Sequence, residues 1–139
     1  FTGEVVRFNV ATTGVRDIPG TLSSIQDKLI AHPDIDGILA LNPNIADAAM
    51  QAIEAVGGSQ KLATFDLSPD VLEALEGGTM MFAIDQQQYL QGYLPVVFLY
   101  LYNANANTVG GGLPVLTGPG IVDASNAAAV KDLAAAGTR

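Results

Sequence analysis

GILALNPNIADAAMQAIEAVGGSQKLATF, residues 37–65, holds one full unit of a recurrent architecture. Gly37 to Leu41 is a short continuous apolar run, the mark of a strand buried on both faces. The polar turn Asn42-Pro43-Asn44 follows it. From Ile45 to Val56 the apolar positions recur at helical spacing, with Ala49, Ile53 and Val56 inward, and Gly57-Gly58 is the stop signal. Lys61 to Phe65 is a second apolar run. Strand, helix and strand at this spacing specify two parallel strands joined by a crossover helix.

The same alternation extends in both directions. Upstream, Glu4 to Ala11 is rich in β-branched residues and reads as a strand. Thr21 to Ala31 places Leu22, Ile25, Leu29 and Ile30 on one helical face, and Pro33 ends it. Downstream, Ser68-Pro69 supplies an N-cap and a first-turn proline for a short helix through Val71, Leu72 and Leu75. Met80 to Ile84 is a further strand and Gln88 to Tyr102 a further helix. Its greasiest part, Leu94 to Tyr102, is far shorter than the roughly 20 residues that span a bilayer, and it reads as a buried helix. After Asn103 the character changes. Asn105 to Gly112 is a glycine-rich loop, Leu113 to Leu116 a possible strand, Thr117-Gly118-Pro119-Gly120 a turn cluster, and Asp123 to Ala136 a weak alanine-rich helix. The expected fold class is α/β, a Rossmann-like parallel sheet flanked by helices.

Composition narrows the chemistry. The 139 residues are 49% hydrophobic and carry a formal net charge of −8, a globular composition poor in the clustered Lys and Arg that bind nucleic acid. Without cysteine there is no disulfide framework, thiolate metal site or cysteine nucleophile. The single histidine, His32, sits at the end of a helical pattern, where the helix dipole favours it, and no metal role is assigned to it. No dinucleotide fingerprint, P-loop or nucleophile elbow is present, and Gly110-Gly111-Gly112 precedes no convincing helix. No cofactor is expected.

What remains is polar chemistry at strand ends. The residues just past the strands are Thr12-Thr13, Asn42-Pro43-Asn44, Asp66 and Asp85-Gln86-Gln87, with Arg16 in the first loop. A parallel sheet brings its carboxyl ends to one edge, which is where such sheets bind ligands. Carboxylates accept from hydroxyls, amides both donate and accept, and arginine donates in a fixed fork, so the set suits a polyhydroxylated ligand. Helix capping by Asn44 or Asp47 explains any one of these groups; four loops together favour a binding edge. Asp66 and Asp85 also form a possible acid/base pair, but no His or Lys is placed to assist them. Tyr89 and Tyr93, four apart on one helical face, point to at least one core position rather than a stacking platform.

Three blocks, ATFDLSPDVLEALEGG, FAIDQQQYLQGYLPVV and VLTGPGIVDASNAAAV, resemble the periplasmic sugar-binding proteins of ABC transporters, the type I, ribose-binding-protein-like solute receptors. The likeness runs from about Glu4 to the C-terminus. It implies one lobe of a two-lobe fold that closes on its ligand, with an N-terminal lobe preceding Phe1 and absent from this chain. Residues 1–116 would then be the C-terminal ligand-binding lobe. Residues 117–139 would be a hinge crossover and a tail helix that packs on the missing lobe, disordered or docked on another chain in its absence. By the same resemblance Asp66 hydrogen-bonds sugar hydroxyls, Gln86 contacts ligand, one of Asn42 and Asn44 does so, Arg16 falls near a ligand-binding arginine, and Asp85 lies at the site edge. Implied too are a monosaccharide or related polyol as ligand, ABC permease subunits as partners, and a periplasmic or lipid-anchored extracytoplasmic location. The rival readings are the sugar-sensing effector domain of a lactose-repressor-type regulator, which needs an upstream helix-turn-helix, and a carboxylate-dependent sugar enzyme acting at Asp66 and Asp85.

Overall fold

A computed structural model describes residues 3–5 and 17–139. The expected strand at Glu4 to Ala11, the turn Thr12-Thr13 and Arg16 fall wholly or mostly on residues 6–16, outside the described residues. Within the described part the elements run α1 (Ile18–Ala31), β1 (Gly37–Ala40), α2 (Pro43–Ala55), β2 (Lys61–Phe65), α3 (Pro69–Glu76), β3 (Phe82–Asp85), α4 (Gln88–Asn105), β4 (Gly120–Val122) and α5 (Ala127–Ala135). A short 3-10 turn at Gly110–Gly112 follows α4.

The helix starts follow from local chemistry. Asp17, Asn42 and Ser68 each turn a side-chain oxygen onto the backbone N–H three residues ahead, at 3.0–3.1 Å, and a proline occupies the first turn each time. The cap of α2 is thus Asn42, not Asn44 or Asp47. Gly57 closes α2 in the left-handed conformation, at φ 63°.

The strands lie in the order β1-β2-β3-β4. β1 to β3 are parallel and in register, and β4 returns antiparallel to β3, with Asp85 opposite Gly120. Helices α2 and α3 cover the sheet with small and branched residues: Ala46, Ala48, Ala49 and Ala52 on α2, and Val71, Leu72 and Leu75 on α3, are buried. Alanine at these positions lets α2 approach both the sheet and α1, whose Ile25 and Leu29 are buried while Leu22 is partly so. Ile30, expected on the same face, is 69% exposed, because the α1 stripe is centred on Thr21, Ile25 and Leu29 and Ile30 falls outside it.

Two expectations about the second half of the chain are reversed. The alanine-rich tail helix does not lack a partner in this chain. β4 carries the backbone to β3, and α5 packs on α3, with Ala127 fully buried and Val130 and Ala134 against the core. Lys131 Nζ pairs with Glu76 Oε2 at 2.6 Å beside that contact. The low amphipathicity of α5 reflects close packing of small side chains rather than a missing surface. Conversely α4, read as a buried helix, contains no buried residue at all. Leu113 to Leu116 forms no strand and is exposed throughout. An apolar run has the same composition whether it faces its own core or a separate partner, and here it faces outward.

The packing of α5 predicts that Ala127→Leu destabilises the protein by about 2 kcal/mol through overpacking. Urea unfolding reads this; no loss of stability would mean that the helix is undocked. Asp47 on α2 provides a second expectation. One of its carboxylate oxygens is buried without a hydrogen-bond partner among the described residues, and burial, then the nearby Asp70, raises its pKa. A carboxyl raised in the folded state costs stability when ionised, and that cost vanishes at pH values below the ordinary carboxylate range. Asp47→Asn therefore raises Tm at pH 7 by roughly 2 °C, with the gain fading as pH falls through that range in a series of thermal melts.

Candidate functional site

The parallel register fixes where the strand-end residues go. Ala40 lies beside Thr64, and Phe65 beside Ile84. Continued past the strands, this register puts Asn42, Asp66 and Asp85 in one row across the carboxyl edge of the sheet. The Asp66 N–H donates to Ile84 O at 2.9 Å, extending the ladder one step toward that edge.

Asp66 and Gln86 meet there. Gln86 Nε2 donates to Asp66 Oδ1 at 2.9 Å in an exposed contact. Asp66 is half-buried with φ 66°, a left-handed conformation that is uncommon for a residue with a side chain. Such backbone persists where surrounding structure enforces it, and it clusters at ligand sites. Here it turns the chain from β2 into α3 with the carboxylate held at the edge. One oxygen of that carboxylate takes the Gln86 amide, and among the described residues no donor reaches the Gln86 side-chain carbonyl. The pair offers acceptors and donors side by side, which is what vicinal hydroxyls require.

The other expected residues divide. Asn42 spends its oxygen on capping α2, by accepting from Ile45 N at 3.0 Å, while its amide NH2 has no acceptor among the described residues. Asn44 is exposed on the first turn of α2. Arg16 lies outside the described residues. Asp85 does not face the edge: its side chain is fully buried, with Oδ1 accepting from Gln87 N at 2.8 Å and Oδ2 from Arg139 Nε at 2.7 Å. The alternation along β3 accounts for this, since Ala83 and Asp85 share its inward face. Buried and satisfied, Asp85 is not positioned as an acid/base partner of Asp66. Tyr89 and Tyr93 stack with ring centroids 5.8 Å apart, and both are exposed, so neither takes the core position expected.

Sequence reading missed Thr117, Gln91 and Arg139. Thr117 Oγ1 and Gln91 Nε2 both donate to the Gln86 carbonyl, at 2.9 and 3.1 Å, and tie the end of β3 to the segment entering β4. The Gly118–Pro119 peptide in that segment is cis. The one available signal was charge: Arg139 is one of only six cations, and it ends an alanine-rich tail. Among the described residues no group of three or more His, Cys, Asp or Glu side chains is arranged to hold a metal ion, and no helix is long and apolar enough to cross a membrane.

Beside the edge, α4 and residues 109–117 enclose an open groove of about 680 Å³ lined by Leu94, Phe98, Leu99, Val109, Leu113 and Val115. It is mostly apolar, and Val96, Tyr100, Tyr102 and Leu116 of the same segments are also exposed. A surface of this kind marks an interface.

Comparison with known proteins bears on both features. The family model described as the periplasmic binding protein domain matches residues 4–106. The xylose/arabinose-binding protein XylF of Sulfolobus acidocaldarius is 31% identical over 87 residues, which is 58% of this chain and 22% of that protein. The ribose import binding protein RbsB of Escherichia coli K12 is 33% identical over 84 residues, 58% of this chain and 28% of that protein. A carbohydrate transporter from Acidothermus cellulolyticus 11B, solved in complex with myo-inositol, superposes with TM-score 0.84 at 45% identity, covering 88% of this chain and 43% of that one. The chain thus spans less than half the length of each of these relatives.

Proposed function

The chain belongs to the periplasmic binding protein domain family, and from that premise we propose that it forms one lobe of a solute receptor that captures a cyclic polyol or monosaccharide and delivers it to an ABC importer. The observation that carries this reading is the exposed Asp66–Gln86 pair at the carboxyl edge of the sheet, held there by a left-handed backbone. The 45% identity to a protein crystallised with myo-inositol supports a cyclitol or a pyranose of similar hydroxyl pattern as the ligand. Asp66, Gln86, Asn42 and Asn44 supply the hydrogen bonds of this half of the site, with Arg16 as a further donor. Permease subunits and an extracytoplasmic location follow from the same reading.

The first lobe covers the other apolar feature. Its occupant is the remainder of the receptor, and the face it takes is α4 with residues 109–117, not α5. Three facts support this assignment: α4 buries nothing in its own lobe, the groove beside it is apolar, and the relatives are more than twice as long as this chain. The backbone therefore leaves the ligand lobe after Gln87 and re-enters it at Gly120. Closure of two such lobes around ligand selects the bound conformation that an importer recognises.

Binding is tested by titrating full-length protein with myo-inositol, ribose, xylose and arabinose in a calorimeter. At least one is expected to bind at micromolar concentration or tighter, and Asp66→Ala is expected to weaken it by about 100-fold, as loss of charge-assisted hydrogen bonds does. Heats flat across the panel would overturn the assignment. For the lobe contact, Leu99→Lys in the full-length protein is expected to cost about 3 kcal/mol in urea unfolding, the cost of burying an unpaired charge. A neutral effect would mean that α4 stays in solvent.

A further inference from the structure

We infer that Arg139 is a positioning residue for the ligand edge, acting through the buried carboxylate of Asp85 on the turn that presents Gln86. Asp85 has no exposed side-chain surface, and its two oxygens are divided between two distant parts of the chain: Oδ1 takes the Gln87 N–H at 2.8 Å and Oδ2 takes Arg139 Nε at 2.7 Å. Gln87 sits at φ 56° and ψ 58°, a left-handed residue just before α4 whose own side chain makes no capping hydrogen bond. A carboxylate that bonds the N–H two residues ahead stabilises such a turn. The Asp85 carboxylate is thus what fixes the step from β3 into α4, and Gln86 lies inside that step.

The surroundings are built to that geometry. Asp85 pairs with Gly120 across β3 and β4. A Cβ on Gly120 would lie 3.3 Å from an Arg139 guanidinium nitrogen, and one on Gly118 would lie 3.0 Å from the Asp85 carbonyl oxygen. Glycine at both positions lets the returning strand pass between the end of β3 and the arginine. Gln86 is then held from three sides: its carbonyl by Thr117 and Gln91, its side chain on Asp66, and its following peptide by Asp85. Removal of the guanidinium leaves a buried carboxylate with one donor among the described residues, a costly state that is relieved by opening the turn to water. Opening the turn displaces the Gln86 amide from Asp66. This role rests on the reading of the Asp66–Gln86 edge as a polyol site.

The test uses full-length protein with Arg139→Ala, Arg139→Lys and, as control, Lys131→Ala, which breaks the surface pair with Glu76. Two readouts are taken: amide hydrogen exchange at Gln87 without ligand, and myo-inositol affinity by calorimetry. The expected result is at least about tenfold faster exchange and about tenfold weaker binding in Arg139→Ala, substantial recovery of both in Arg139→Lys, and neither change in Lys131→Ala. Unchanged Gln87 exchange in Arg139→Ala, faster exchange shared with Lys131→Ala, or faster exchange with affinity intact would each overturn the positioning role. Wild-type protein that binds no polyol would instead overturn the ligand reading; with Gln87 exchange accelerated only in Arg139→Ala, the hold of Arg139 on the turn would stand.

Discussion

Every feature of the candidate site depends on the in-register parallel pairing of β1, β2 and β3. Because the three strands end at matching depth, the first polar residues beyond them fall in one row, and chemistry dispersed over more than forty positions is gathered at one edge. Side-chain direction then decides what each residue does. Asp66 lies past the end of β2, where a left-handed turn sends its carboxylate outward. Asp85 is still within β3 and points to the inward face, where it must be neutralised by hydrogen bonds. Two carboxylates one strand apart thus have opposite surroundings, one at the exposed edge and one inside the frame.

The βαβ unit at residues 37–65 was legible in element order and type from its short apolar runs and glycine stop, but the helix starts at Pro43 rather than Ile45, and β1 is not buried on both faces, with Leu39 exposed. Ser68-Pro69 and α3 were legible as cap and helix. Asp66 and Gln86 were legible as edge residues from strand ends alone. Asp85 was not, since its fate rests on the pleat at the last residue of β3 and on an arginine 54 positions away. Residues this far apart leave no mark in local pattern.

Apolar content misled in both directions for α4 and α5. Leu94 to Tyr102 has the composition of a core helix, yet none of its residues is buried in this chain. The alanine-rich tail has the composition of a helix in search of support, yet it is seated on α3. Hydrophobicity states that a face needs covering; only topology states by what. The antiparallel return of β4 is the topological fact that settles α5, and three residues of short strand with a glycine at their start carry little periodic signal.

That return has a consequence for how the molecule is made. The sheet is assembled from distant parts of the chain: β4 joins it after α4, and the buried carboxylate of Asp85 pairs with Arg139. During synthesis, β1 to α3 are available to pack early, but Asp85 waits more than fifty residues for its cation, while the greasy α4 is already out. Until β4 arrives, the β3 edge lacks its antiparallel partner, and an unpaired edge beside exposed apolar surface is the kind of feature that favours aggregation.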